Sequence, residues 1–162
     1  MDGYTGFYKE HKDKLFAYLM RMTRDYHLST DIMQESFTRY LEHYEQKAQS
    51  LPLLYTIARN LVFDRSRRQG STVQLGEDQD DCSDDSSIDH ERVLMVRQEY
   101  RRVLSAMHQL EKDERDILAL VATSELSYRE IAFLAGISEA NVKVKVHRAR
   151  LRLRKILQEG EL

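Results

Sequence analysis

Apolar positions recur every three or four residues along most of the chain, the spacing of helices with one buried face. Tyr8, His11, Leu15, Leu19 and Met22 mark a first helix over 4–24, and Tyr26–Ser29 reads as a turn. Ser29 or Thr30 then caps a second helix to about Lys47, with Met33, Phe37, Tyr40, Leu41 and Tyr44 inside. Pro52 suits the first turn of a third helix, to about Arg68, whose core face is Leu54, Ile57, Ala58 and Leu61. The pattern lapses over Gly70–Arg92. It resumes in a fourth helix from Asp89 or His90, with Val93, Val96, Tyr100, Val103, Met107 and Leu110 inside. A fifth covers about Lys112–Thr123, with Ile117, Leu118, Leu120 and Val121.

The stretch Leu126–Lys155 predicts two helices joined by a tight turn. Ser127 and Glu130 have the spacing of a capping box, ahead of Ile131, Ala132, Leu134 and Ala135. Gly136 suits a turn that needs positive φ, and Ser138 can cap the next helix. Val142, Val146, Ala149, Leu153 and Ile156 form a single helical stripe there. A half-buried strand is the rival, since Val142–Val146 and Arg150–Arg154 alternate apolar and charged. His147-Arg148-Ala149 breaks that alternation while the helical stripe runs through it, so a helix-turn-helix is expected.

The polar faces carry the candidate chemistry. Ala140, Val144, His147, Arg148, Leu151 and Lys155 point away from the last stripe, and seven Lys or Arg residues with no acid lie between Lys143 and Lys155. A helix in the major groove needs donors for base edges, apolar atoms for thymine methyls and cations for phosphates. A solvated basic face that binds RNA or an acidic protein is the plain alternative; the turn before the helix favours DNA. On the third helix, Thr56, Asn60, Phe63 and Arg67, flanked by Arg59, lie opposite the core. An aromatic ring among amide and guanidinium groups can hold an unstacked base, although aromatic rings more often pack against a neighbouring helix. The second helix presents Asp31, Gln34, Glu35, Thr38, Arg39 and Glu42, a face that is either solvated or a docking surface.

Composition agrees with an all-α protein: Pro occurs once, Trp is absent, and aromatics make up 9%. The net charge of −2 is segregated, with eight acids and one base over residues 70–92. The chain therefore divides into two small basic helical bodies joined by an acidic flexible linker over Gly70–Arg92. In the free protein the two bodies are expected to lack a fixed relative orientation unless a partner clamps them, although attraction between the basic faces and the acidic linker could compact the molecule. The lone Cys82 rules out an intramolecular disulfide and a cysteine zinc cluster. With no phosphate-binding glycine loop and no paired metal-ligand spacing, no catalytic residue, metal site or cofactor is expected, and the protein reads as a non-enzyme. No run of residues has the length and apolarity of a membrane span and no secretory pattern opens the chain, so a cytoplasmic protein without direct membrane insertion is expected.

With these residues laid out, the chain resembles the extracytoplasmic-function (ECF) sigma factors, short members of the sigma-70 family. Asp31-Ile-Met-Gln-Glu-Ser-Phe-Thr-Arg39 is similar to the family's D-x-x-Q-E-x-F-x-R helix. Leu54-Tyr-Thr-Ile-Ala-Arg-Asn-Leu-Val-Phe-Asp64 followed by Arg67-Arg68 is similar to its L-x-x-I-A-R-N-x-x-x-D…R-R segment. Leu126–Ala132, Gly136-Ile-Ser138, Val142-Lys143 and His147–Arg150 resemble its C-terminal reader. The resemblance implies a subunit that directs core RNA polymerase to promoter DNA, commonly under an anti-sigma factor. It also implies domain bounds of 1–69 and about 92–162, with the linker 70–91 between them. Asp31, Gln34, Glu35, Thr38 and Arg39 would dock on polymerase. Thr56, Arg59, Asn60, Phe63, Arg67 and Arg68 would contact the minus-ten element. Arg129, Ser138, Asn141, Lys143, Val144, His147, Arg148 and Arg150 would contact the minus-thirty-five element. Leu41 and Leu53 stand where the family usually has Trp, Val144 where Ser or Thr is common, and Asn141 where Thr is. The competing class is a two-domain helix-turn-helix regulator that is not a polymerase subunit; it would place a ligand pocket or an alternating βαβ receiver in the first ninety residues.

Overall fold

A computed structural model describes residues 3–44, 50–68 and 90–160, and every regular element among them is helical. The order is α1 (Gly3–Thr23), α2 (Tyr26–Tyr44), α3 (Leu51–Arg68), α4 (His90–His108), α5 (Lys112–Thr123), α6 (Tyr128–Ala135) and α7 (Glu139–Glu159). The expected linker, including Cys82, lies outside the described residues, as do the side chains of Tyr44 and Val93.

Local chemistry sets the helix ends. Arg24 takes a left-handed conformation at φ 57° and its amide donates to the Met20 carbonyl at 2.8 Å, closing α1. Asp25, rather than Ser29 or Thr30, opens α2: its carboxylate accepts from the Leu28 amide at 3.0 Å. The expected turn at Tyr26–Ser29 is thus already helix. Ser29 is buried inside it, and the Thr30 hydroxyl donates to the Tyr26 carbonyl one turn back at 2.9 Å. Ser50 begins α3, its hydroxyl accepting from the Leu53 amide at 3.4 Å, and Pro52 occupies the first turn where an N–H would lack a helical partner. The end of α4 is closed from a distance: the Arg115 guanidinium on α5 donates to the carbonyls of Met107, His108 and Leu110 at 3.0, 3.2 and 3.1 Å. Those are carbonyls a helix terminus leaves without helical donors.

The first three helices close around Leu15, Tyr18, Leu19, Ile32, Phe37, Leu54, Tyr55 and Ala58, all buried. Phe7 stacks on Tyr40 at 5.0 Å, and Tyr18 meets Tyr55 edge-on at 5.7 Å. Phe7, Tyr18 and Tyr55 fall outside the expected stripes yet are core, whereas Tyr8, Met33 and Ile57 are only half-buried. In the second half, Leu104, Met107, Ile117, Leu120, Ile131, Val142, Val146 and Ala149 are buried. Val96 and Tyr100 of α4 were expected inside; they are 64% and 36% exposed, together with Leu94 and Met95, and Tyr100 lies beside the Arg21 guanidinium of α1 rather than in the core.

Among the described residues the two halves pack against each other in this structure. One apolar cluster runs through both halves. The shared wall is α1, which packs on α2 and α3 and also on α4 and α5, while α3 touches α6. Lys14 of α1 pairs with Glu125 after α5, and Tyr18 of α1 donates to Asp116 of α5 at 2.7 Å. No helix among the described residues is long and apolar enough to cross a membrane.

Candidate nucleic-acid interfaces

The C-terminal helix-turn-helix is built as its caps predict. The Ser127 hydroxyl accepts from the Glu130 amide at 3.1 Å, and the Glu130 carboxylate accepts from the Ser127 amide at 2.9 Å, a complete capping box. Each such cap is worth about 1 kcal/mol. Gly136 ends α6 at φ 72°, a conformation that disfavours any residue with a Cβ. The Ser138 hydroxyl accepts from the Asn141 amide at 3.0 Å and starts α7. Val142, Val146 and Ala149 then bury against α5 and α6, with Leu153 and Ile156 half-buried below them.

That burial fixes the outward face. Arg129, Ser138, Asn141, Lys143, Val144, His147, Arg148 and Arg150 are all exposed, as are Ala140, Leu151 and Lys155. Among the described residues, Lys143, Arg148 and Arg150 form no ion pair within the chain, so their charge remains available. Arg152 is used differently: it reaches Glu114 at 2.9 Å and Glu111 at 4.0 Å, tying α7 to the start of α5. The basic helix thus separates into one structural cation and a free cationic face with apolar atoms between the charges. This is the equipment for phosphates and thymine methyls together.

On α3 the expected face is divided. Asn60, Arg67 and Arg68 are exposed, and Phe63 is half-buried. Asn60, Phe63 and Arg67 line one cleft of about 470 Å³ with Asp64 and, from α5, Lys112. Arg67 pairs with Asp64 on its own helix. Thr56 points its hydroxyl at the Pro52 carbonyl, 2.8 Å away, a contact local to α3. Arg59 turns inward: its Nε donates to the Asp116 carboxylate at 2.7 Å and its Nη1 to the Leu134 carbonyl at 3.5 Å. The Arg59 guanidinium and the Lys112 ammonium stand 4.5 and 4.3 Å from the centre of the Phe63 ring.

Asp116 is 1% exposed and sits between Arg59 and the Tyr18 hydroxyl. Burial pushes its carboxyl above the usual carboxylate range, against the pull of the Arg59 guanidinium and the Tyr18 hydroxyl. Burial also raises the Tyr18 phenol well above its ordinary value, so Tyr18 stays a donor to Asp116. Neither Asp116 nor Lys112 stood out in the sequence. The available signal was an acid one turn before Leu120 on an otherwise apolar stripe, a position that demands a partner.

On α2, Asp31, Gln34, Thr38 and Arg39 are exposed on one surface. Glu35 is half-buried and held by two cations, Arg39 at 2.7 Å and Arg65 of α3 at 3.2 Å. Arg65 therefore fixes the angle of this face against α3, a role the sequence pattern did not reveal. The surface presents an amide, a hydroxyl and both signs of charge. Among the described residues, no cluster of His, Cys, Asp and Glu could hold a metal ion.

Comparison with known proteins covers both halves. The family described as Sigma-70 region 2 matches residues 7–72, and Sigma-70, region 4 matches residues 100–153. The ECF RNA polymerase sigma factor SigM of Bacillus subtilis is 30% identical over 156 residues, 94% of each chain. The RNA polymerase sigma factor CarQ of Myxococcus xanthus is 29% identical over 164 residues, covering 99% of this chain and 92% of CarQ. The fold is similar to that of the sigma factor RpoE in a complex with the anti-sigma factor NepR from Bartonella quintana, with TM-score 0.73, 18% identity and 98% of each chain covered. It is also similar to CnrH solved with the cytosolic domain of CnrY, with TM-score 0.72, 18% identity, and 96% of this chain and 88% of that one covered.

Proposed function

This chain belongs to the ECF RNA polymerase sigma factors of the sigma-70 family, and we propose a division of its work between two segments. The protein directs core RNA polymerase to specific promoters and initiates transcription. Residues 1–69 form the segment that docks on polymerase and engages the minus-ten element, and residues 92–162 form the segment that reads the minus-thirty-five element in duplex form, with 70–91 joining them. The chain works in the cytoplasm as a specificity subunit, leaving the chemistry of RNA synthesis to the polymerase. Because its fold is shared with sigma factors solved with anti-sigma proteins, an anti-sigma factor is the expected negative regulator.

In this reading Asp31, Gln34, Glu35, Thr38 and Arg39 meet polymerase. Asn60 and Phe63 take a base that has left the stack, while Arg59, Arg67 and Arg68 take backbone phosphates and Thr56 borders the site. Arg129, Ser138, Asn141, Lys143, Val144, His147, Arg148 and Arg150 face the upstream duplex. The observation that carries the reading is the outward face of α7. It is a capped second helix on which Lys143, Arg148 and Arg150 are exposed and form no ion pair among the described residues. The competing regulator reading places a ligand pocket or a βαβ receiver in the first ninety residues, where every regular element among the described residues is helical.

The deciding experiment is run-off transcription with core polymerase on a template library randomised at both promoter elements. The expected result is initiation that depends on the chain and enriches a defined pair of motifs. A folded chain that binds duplex DNA but never supports initiation would return the protein to the regulator class.

A further inference from the structure

Among the charged groups on the outward face of α7, Val144 stands apart. It is 43% exposed in the second turn of the helix, while Val142 and Val146 on either side are buried. Ala140 lies one turn before it, and Lys143, His147 and Arg148 surround it, all exposed. Lys143 and Arg148 form no ion pair among the described residues, so the valine sits between two open cations. A β-branched residue is a poor choice for an exposed helical position on propensity alone. Its two methyl groups neither donate nor accept a hydrogen bond, so they gain nothing from solvent.

Leu151 is the other large apolar side chain on this face, 49% exposed two turns further on. The two differ in reach. A helix that enters the major groove brings its N-terminal residues to the base edges. At 1.5 Å per residue, Leu151 lies about 10 Å further along the axis than Val144. Val144 is therefore the apolar group placed for a base. In the major groove thymine alone presents an apolar substituent, its C5-methyl, whereas cytosine presents an N4 amino donor. A valine laid against that donor removes its water and returns no partner.

We propose that Val144, backed by Ala140, is a methyl reader. It selects a pyrimidine that carries a C5-methyl group in the minus-thirty-five element: thymine in unmodified DNA, and 5-methylcytosine where a cytosine has been methylated. Lys143 and Arg148 hold the duplex beside it, and the methyl contact makes the choice at that base pair. This rests on the minus-thirty-five reading of α7 and deepens it from a contact to a chemical preference. Methylation of a cytosine at that position is then registered by the chain as a gain in binding.

The test uses the chain assembled with core polymerase and a duplex library randomised over both promoter elements, from which the tightest-bound duplex is enriched. Each upstream thymine of that duplex is replaced in turn by deoxyuridine, which keeps the O4 acceptor and removes only the methyl. One replacement should weaken binding by the parent about fourfold, the equivalent of one buried methyl group at about 0.8 kcal/mol. Val144→Ala removes both Cγ methyls and favours the helix, and it should bind the thymine and deoxyuridine duplexes alike. Cytosine at that position should weaken the parent further, and 5-methylcytosine should recover about fourfold for the parent and nothing for Val144→Ala. Parent binding unchanged by every deoxyuridine overturns the methyl reader and leaves the minus-thirty-five reading standing. So does a loss of the same size in Val144→Ala, or a 5-methylcytosine duplex bound no better than the cytosine one. A parent holoenzyme that enriches no upstream motif overturns the minus-thirty-five reading itself, and the methyl reader with it.

Discussion

The guanidinium of Arg59 and the carboxylate of Asp116 meet at 2.7 Å across 57 residues of sequence, with Asp116 1% exposed. A carboxylate so deep in the protein is tolerated only because Arg59 and Tyr18 surround it. Removing one partner of such a pair strands the other. Asp116→Ala should lower stability by about 3–5 kcal/mol. The paired replacement Arg59→Met with Asp116→Leu should lose less than Asp116→Ala alone, because no buried charge then remains. Urea titration of the three chains measures this. Equal losses for the single and double variants would show that the contact contributes through shape rather than charge.

A second prediction concerns His108 at the end of α4. Burial lowers its pKa to about 4, helped by Arg115 and Arg24. Its Nε2 is buried without a hydrogen-bond partner among the described residues. The folded chain therefore keeps His108 neutral over a range where the unfolded chain, with a pKa near 6.5, is protonated. The unfolded state binds the extra proton, so stability is full above about pH 6.5 and falls as pH drops toward about 4. Burial lowers His11 as well, adding a contribution of the same sign. Thermal melting should drop between pH 7 and pH 5, and His108→Gln should drop less. A parallel decline in both chains would remove His108 as the cause.

What the sequence made legible follows from how local each signal is. The Ser127–Glu130 box, Gly136 and the Ser138 cap lie within twelve residues, and every one forms as expected because its partner is three residues away or is its own backbone. The outward face of α7 was readable for the same reason: one helix defines both its buried stripe and the side opposite. Asp25 was missed because Ser29 and Thr30 are equally good caps in isolation; the left-handed turn at Arg24 decided between them. The Asp116 node was invisible because its partners lie 57 and 98 residues away, and periodicity reports a face without saying what covers it. The same limit explains Val96 and Tyr100, which have the spacing of a core but remain exposed on α4.

The third prediction is directed at α7. Arg148 is exposed on the outward face and, among the described residues, pairs with no acid. Arg148→Ala should leave melting unchanged within about 0.5 kcal/mol, as expected for a surface position away from caps and core. Reconstituted with core polymerase, the variant should bind duplex promoter about 1–3 kcal/mol more weakly if it reads a base edge. Titrations at several salt concentrations separate this from a phosphate contact, which would lower the salt slope by about one and weaken all sequences alike. Unchanged binding throughout would remove Arg148 from the interface.

The last prediction concerns Asn60, which is exposed on α3 and shares its cleft with Phe63 and Arg67. An amide carries both a donor and an acceptor, so it can read the edge of a base turned out of the stack. The side chain is solvent-facing and no core residue depends on it, so Asn60→Ala should preserve the fold and assembly with polymerase. Initiation from closed duplex templates should fall by about tenfold, the size of a lost pair of hydrogen bonds to a base at about 1–3 kcal/mol. The loss should shrink on a template already opened at the minus-ten element, because the unpairing energy that base capture must offset has been supplied. Asn60→Asp keeps the shape and the acceptor but brings a negative charge to the strand, so it should initiate no better than Asn60→Ala. Equal activity of Asn60→Ala and the parent on closed templates, with base preference in the minus-ten element unchanged, would show that Asn60 is no reader and that Phe63 and the arginines carry the contact. A fall in melting temperature for Asn60→Ala would place its role in the fold instead.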